Sequence, residues 1–188
     1  MNAVLDAIAA RYSCRSFTAE PVSRADLETI TRAGVSAPSS RGHAPWRLVV
    51  VTDAGLIQDI SDSALRLLAR HEAGVPDRFP TGQLTLFYNA PAVIIVAVRH
   101  TWDYTSEQLD AGLLVENMTL AATSLGLGSL ICGFATQAFR DLKSTDPARL
   151  CQLLRIPDGY EMAVSMAVGH VGTPRAPHLP DTSVVTYI

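Results

Sequence analysis

Three side chains near the start of the chain could do chemistry together: Arg11, Ser13 and Arg15, within the run Arg11-Tyr-Ser-Cys-Arg-Ser-Phe17. They stand two residues apart. In an extended backbone successive side chains point to opposite faces, so these three share one face. Two guanidinium groups and a hydroxyl on a single strip suit a phosphate or another planar, anionic acceptor. The alternative is that both arginines are solvated or pair with surface carboxylates. A second segment, Ala37-Pro-Ser-Ser-Arg-Gly-His-Ala-Pro-Trp46, is a Pro/Ser/Gly-rich turn that runs straight into the apolar stretch Trp46–Val51. Loops carried on a rigid element are where ligand contacts concentrate.

The elements that must position these segments follow from periodicity. Val4, Leu5, Ile8 and Tyr12 recur at helical spacing and predict a short amphipathic helix over 2–12, ending at the arginine strip. Ser23-Arg-Ala-Asp26 reads as a capping box opening a helix through Leu27, Ile30 and Ala33, with Gly34 as its expected C-cap. Trp46–Thr52 reads as a buried strand, and Ala54 to about His71 as a helix with Leu56, Ile57, Ile60, Ala64, Leu67 and Leu68 inward. The Gly/Pro-punctuated stretch Glu72–Gly82 is the expected mobile lid. Ala92–Val98 is a second apolar strand. Ser106–Leu125 is a long helix, apolar nearly all round, which implies burial on more than one side. Residues 127–134 suit a further strand, Asp146-Pro147 opens another helix, and Met162–Val168 is the last central strand. The expected architecture is a mixed sheet flanked by helices, α+β, in one domain over 1–188. The Pro-rich tail from Gly169 ends in Val184, Val185, Tyr187 and Ile188, which should be buried somewhere.

Composition narrows the function classes. With 188 residues, 48% hydrophobic and 18% charged, the chain is globular and large enough for a substantial core. A net charge of −3 argues against a general nucleic-acid or anionic-membrane binder. The run Ala92–Val98 is strand-length, too short to cross a bilayer, and the N-terminal pattern with Asp6 is not that of a signal peptide. A cytoplasmic location is expected. Cys14, Cys132 and Cys151 form no C-x-x-C pair or Cys/His cluster, so neither zinc nor disulfides are expected. There is no Ser-His-Asp or paired-carboxylate constellation, and no G-x-G-x-x-G after a strand to support a Rossmann dinucleotide domain.

Taken in order, the two N-terminal segments resemble the nitroreductase family of FMN-dependent oxidoreductases, which shows R-x-S-x-R-x-F and then P-S-x-x-N-x-Q-P-W. The likeness continues through Asp110-Ala-Gly112, Leu120-Ala-Ala-Thr-Ser-Leu-Gly-Leu-Gly-Ser129, Arg155-Ile-Pro-Asp-Gly-Tyr160 and Ala167-Val-Gly-His170. The resemblance implies a nitroreductase-like α+β fold with a mixed or antiparallel central sheet, in an intertwined homodimer with two FMN sites at the interface. In that setting the strip Arg11, Tyr12, Ser13 and Arg15 would bind the cofactor, Arg11 and Ser13 at the phosphate and Arg15 at the flavin N1 edge. A cation there would stabilise the charge that develops on reduction. Pro38, Ser39 and Ser40 would reach the flavin from the other subunit. Cys132-Gly133 would present backbone N–H groups to flavin N5, and Gln83 a carboxamide to the pyrimidine edge. Arg175 and His178 fall where the family tail has its K-x-R phosphate motif.

Three departures stand out. Gly42 replaces the usual Asn, Ala44 the usual Gln, and His178 the tail Arg. A neutral imidazole is a weaker phosphate partner than a guanidinium, so FMN retention should weaken above neutral pH. The implied chemistry is hydride transfer through the flavin, with NADH or NADPH as a transient reductant and a nitroaromatic, quinone-like or related small molecule as acceptor. The alternatives are a flavin-dependent dehydrogenase or oxidase of a small organic or peptide substrate, and a flavin-binding protein without nicotinamide turnover. A structural homodimer without a cofactor would leave the Arg11/Ser13/Arg15 strip unexplained. His43, Phe79 and Tyr88 are the candidates to face substrate.

Overall fold

A computed structural model describes residues 2–71, 86–99, 104–140 and 146–188. Its organising strand is Ala92–Arg99, named β2, buried at every residue from Ala92 to Val98. A strand apolar on both faces requires cover on both faces. It therefore lies inside the sheet, whose order is β1 (Trp46–Val51), β2, β4 (Tyr160–Gly169), β3 (Gly128–Cys132), with all neighbours antiparallel. Ala92, Ile94, Val96 and Val98 pack on one side with residues of α2 (Arg24–Val35) and α4 (Tyr104–Ser124). Val93, Ile95 and Ala97 pack on the other with α3 (Ala54–His71), the short 3-10 turn Phe134–Phe139 and α5 (Asp146–Leu153). The strand's period of two thus builds two cores, one on each face.

Local signals are used largely as read. Ser23 Oγ accepts the Asp26 N–H at 3.0 Å and donates to Asp26 Oδ2 at 2.7 Å, closing the N-terminus of α2. α5 begins at Asp146, whose carboxylate is bonded by Ser63 and Arg66 of α3. Gly34 departs from expectation. It lies within α2, which is capped by Ser36, and a Cβ there would meet Met118 Cγ of α4 at 2.6 Å. The glycine serves close helix packing, not termination.

Four further differences have one physical theme: apolar surface left uncovered by a single chain. α1 (Ala3–Ala10) stops before Tyr12, and its Val4, Leu5 and Ile8 are exposed although it lies against α4. β1 is an edge strand, half-exposed along its middle, where a buried strand was expected. α4 buries one broad face and leaves Leu109 and Leu113 outside. The tail, with a 3-10 turn at Thr182–Val184, leaves Leu179 and Tyr187 more than 90% exposed. Among the described residues the four strands pair only antiparallel, the second of the two arrangements the resemblance implies, and a parallel relation enters at the bridge Ser13↔Ser129. Among the described residues no helix is long and apolar enough to cross a membrane.

Candidate functional site

The strip is extended where α1 ends: Arg11 has φ −63° and ψ 132°. The Cys14 N–H donates to the Ser129 carbonyl at 2.8 Å, tying the strip to the edge of β3. Phe17 bridges Val171, and Gly172 N–H donates to the Ser16 carbonyl at 2.8 Å, tying it to the exit of β4. Alternation does the rest. Cys14 is fully buried, Arg15 is exposed, and Arg11 and Ser13 are partly exposed. Arg11 Nε stands 3.7 Å from Glu116 Oε1 of α4, a separation beyond hydrogen-bond reach. The surface-carboxylate alternative is therefore met for Arg11, in a loose form that leaves its donors available. Tyr12 Oη, on the face opposite the arginines by the same alternation, is buried without a hydrogen-bond partner.

The loop before β1 is held by a residue whose role the sequence did not disclose. Both carboxylate oxygens of Asp110, a buried position on α4, accept the Ser40 N–H, at 2.9 and 3.0 Å. The available signal was an acid flanked by Leu109 and Ala111 at an inward position of α4. Ser39 Oγ accepts the Ala44 N–H at 2.9 Å, closing the loop on itself. The backbone takes positive φ at Arg41 (52°), Gly42 (70°) and Ala44 (44°). Glycine at 42 suits that conformation, whereas Ala44 carries strain of about 1 kcal/mol. Pro38, Ser40 and His43 are exposed and Ser39 is half-buried. Tyr88, a candidate for substrate contact, instead packs against the α3-side core.

At the end of β3, Cys132 turns inward and Gly133 outward. Burial raises the Cys132 thiol above its ordinary value, outweighing hydrogen bonds from the Ala135 and Phe134 backbone that lower it. The thiol is neutral at physiological pH, so this corner offers its backbone and no thiolate. Ser165 Oγ donates to the Cys132 carbonyl at 2.9 Å and steadies it.

Thr173 N–H donates to Ser16 Oγ at 3.0 Å, so the tail leaves the fold beside the strip. Arg175 is two residues further and starts within about 7 Å of Thr173. His178, five residues on, is exposed and not held there. Gln83, Phe79 and the expected lid lie outside the described residues. A cavity of about 770 Å³ opens elsewhere, between α2, the end of β1 and the start of α3, and none of the predicted site residues lines it. Within one chain the strip is open surface.

The sequence model of the nitroreductase family matches residues 8–170, from the end of α1 to the end of β4. The chain belongs to the nitroreductase family. It is 29% identical to the NADPH-flavin oxidoreductase of Vibrio harveyi over 90% of its own length and 66% of that enzyme's, just under two thirds. It is also 29% identical to the FMN reductase [NAD(P)H] of Bacillus subtilis, covering 98% of this chain and 73% of that one. Among solved structures, a nitroreductase with bound FMN from Desulfitobacterium hafniense superposes with a TM-score of 0.92 at 36% identity, covering 100% of this chain and 99% of that chain. Against the nitroreductase pattern, Gly42 and Ala44 sit in left-handed backbone in a loop closed by its own hydrogen bonds. The loop is closed here by Ser39 Oγ and by the Gly42 N–H to the Ser39 carbonyl, with no carboxamide at 42 or 44.

Proposed function

We infer that this nitroreductase-family chain is an FMN-dependent oxidoreductase. It takes a hydride from NADH or NADPH and passes it to nitroaromatic, quinone-like or related small acceptors. The carrying observation is the outward strip Arg11/Ser13/Arg15, seated by backbone pairing with Cys14 turned in. Two guanidinium groups and a hydroxyl on one face fit a ligand with a phosphate and a polar-edged ring. The relatives' names point the same way: an NADPH-flavin oxidoreductase, an FMN reductase and an FMN-bound nitroreductase.

When bound, FMN supplies a hydride donor and acceptor at its N5. Arg11 and Ser13 hold the phosphate, and Arg15 places a positive charge at the ring edge that becomes negative on reduction. Cys132-Gly133 offer backbone donors to the ring, with the neutral thiol kept out of the reaction. Pro38, Ser39 and Ser40 come from a second copy of the chain, Asp110 fixing their loop. Arg175 and His178 add charge at the phosphate, and Gln83 a carboxamide at the ring.

The homodimer is supported by what one chain leaves open. Val4, Leu5 and Ile8 of α1, Leu109 and Leu113 of α4, the unpaired edge of β1 and the tail's Leu179, Val184, Tyr187 and Ile188 are all exposed. Apolar exposure on this scale marks an interaction surface. We place the enzyme in the cytoplasm, as one domain over 1–188. The test is an anaerobic absorbance spectrum with FMN supplied and NADH or NADPH then added. Stoichiometric flavin peaks that bleach are expected. Bound flavin that stays oxidised with both nicotinamides would overturn the reductase reading, and no bound flavin would overturn the cofactor.

A further inference from the structure

The strip is supported from behind, and glycines make that support close. A Cβ on Gly128, at the start of β3, would lie 2.8 Å from Cys14 Sγ, 3.0 Å from Cys14 Cβ and 3.0 Å from Val171 Cγ2. A Cβ on Gly169, at the end of β4, would lie 2.6 Å from Pro91 Cδ and 3.0 Å from Phe17 Cδ1. One on Gly172 would lie 2.7 Å from Ser16 Oγ. None of the three has a positive φ, so space and not backbone conformation calls for glycine here. Hydrogen bonds at the same height hold the strip down: Cys14 N–H to the Ser129 carbonyl, and Gly172 N–H to the Ser16 carbonyl, each at 2.8 Å.

These contacts differ in how they can yield. At Gly172 the obstacle is the end of a flexible serine side chain. At Gly169 it is a proline ring, which cannot move aside. At Gly128 it is Cys14, a 0% exposed side chain whose Sγ–H donates to the Ser16 carbonyl at 3.2 Å. Cys14 has no room to swing, so pressure from position 128 must lift the backbone of the strip. Ser13 and Arg15 flank it on the opposite face and would be lifted with it.

We propose that the Cys14–Gly128 contact positions the phosphate-binding strip. The absent Cβ at 128 sets the height of residues 13–15 above β3, and so the place where Ser13, beside Arg11, meets a phosphate. This rests on the strip being the phosphate holder. Charge-assisted hydrogen bonds are short and directional, so a shift of a fraction of an ångström weakens them. Of the predicted ring contacts Arg15 alone rides on the strip, and those at Gly133 and at Pro38–Ser40 stand on other segments. A lifted strip therefore costs affinity for the phosphate more than for the ring.

FMN and riboflavin share the ring and differ in the phosphate, so their affinity ratio reports the strip. Flavin-free, full-length protein is titrated with each by fluorescence, alongside thermal melts. The chains are wild type, Gly128→Ala, Gly128→Ala with Cys14→Ala, and Cys14→Val, which adds bulk from the opposite side with Gly128 intact. The wild type prefers FMN. Gly128→Ala and Cys14→Val each reduce that preference about ten-fold, in the range for a displaced binding group, and Cys14→Ala restores most of it by removing the 2.8 Å contact. If Gly128→Ala does not fold, Cys14→Val and the double variant carry the comparison. Folded variants with an unchanged ratio, or with equal losses for both flavins, would show the contact to be packing alone and overturn the proposal. Failure of Cys14→Ala to restore the ratio would remove Cys14 from it. A wild type that binds both flavins equally would overturn the strip's phosphate role, and this inference with it.

Discussion

Residues 11–17 and residues 174–188 are both irregular, both largely extended, and both carry cations expected at a phosphate. They sit on the molecule in opposite ways. The strip is tied to β3 and to the exit of β4 by backbone hydrogen bonds, and Cys14 is fully buried behind it. The tail keeps its start beside Ser16 and then leaves its apolar side chains in solvent, Leu179 at 91% and Tyr187 at 92% exposure. An irregular segment holds one conformation when its polar groups are paired and its side chains buried within reach. The strip finds those partners in its own chain. Among the described residues the tail's own hydrogen bonds are local, Ser183 N–H to Asp181 Oδ1 and Val185 N–H to the Thr182 carbonyl, and a second copy is the partner proposed for its exposed apolar side chains.

Removing the tail tests that contrast most severely. A chain ending at Pro174 should run as a monomer by light scattering and lose its FMN, with its circular dichroism nearly unchanged because neither core uses the deleted residues. A truncated chain that remains a dimer with bound FMN would break the comparison. Arg15→Ala acts on the seated segment. It should weaken FMN binding about ten-fold or more, the scale of a lost charge-assisted bond, and lower the flavin reduction potential. An unchanged potential would place Arg15 away from the ring.

A smaller effect is expected from His178→Arg. A guanidinium presents a phosphate with paired donors that an imidazole lacks. The substitution should therefore improve FMN retention in dialysis about three-fold, on the scale of a solvent-exposed ion pair. Equal retention by both chains would leave His178 outside the site. Asp146→Asn is the control remote from both segments. The Arg66 hydrogen bond holds the Asp146 carboxyl below its ordinary value. A depressed carboxyl adds stability above its unfolded pKa of about 3.9 and loses it as pH falls through the lower folded value. Asp146→Asn should thus cost at most about 1 kcal/mol at pH 7 in urea melts, a difference that is lost as pH falls through the lowered folded value, with FMN affinity unchanged. An altered affinity would mean the α3–α5 face is coupled to the strip.

Much of this was legible in the residues. The capping box at Ser23, the helix Ala54–His71 and the strand at Ala92–Val98 all follow from contacts a few residues apart, which periodicity reports. The alternation Ser13, Cys14, Arg15 was equally readable, because a strand's period is two whatever it packs against. Gly34 misled because its two uses, ending a helix and admitting a neighbouring one, leave the same letter. Met118 decided between them from another helix. β1 read as buried because its run Trp46–Val51 is as apolar as a central strand, and only the strand order puts it at the edge. Asp110 was visible as an acid among apolar neighbours, but its acceptor role toward Ser40 spans 70 residues and no local pattern carries it.

The sequence by itself determined which residue types stand on the strip, their two-residue spacing, the apolar runs that become strands, and membership of the nitroreductase family. These are properties of neighbours along the chain. Tertiary structure alone decided that Cys14 meets Gly128, that Asp110 holds the loop before β1, and that the tail finds no cover among the described residues. Each depends on distances between segments far apart in sequence, which only packing can set.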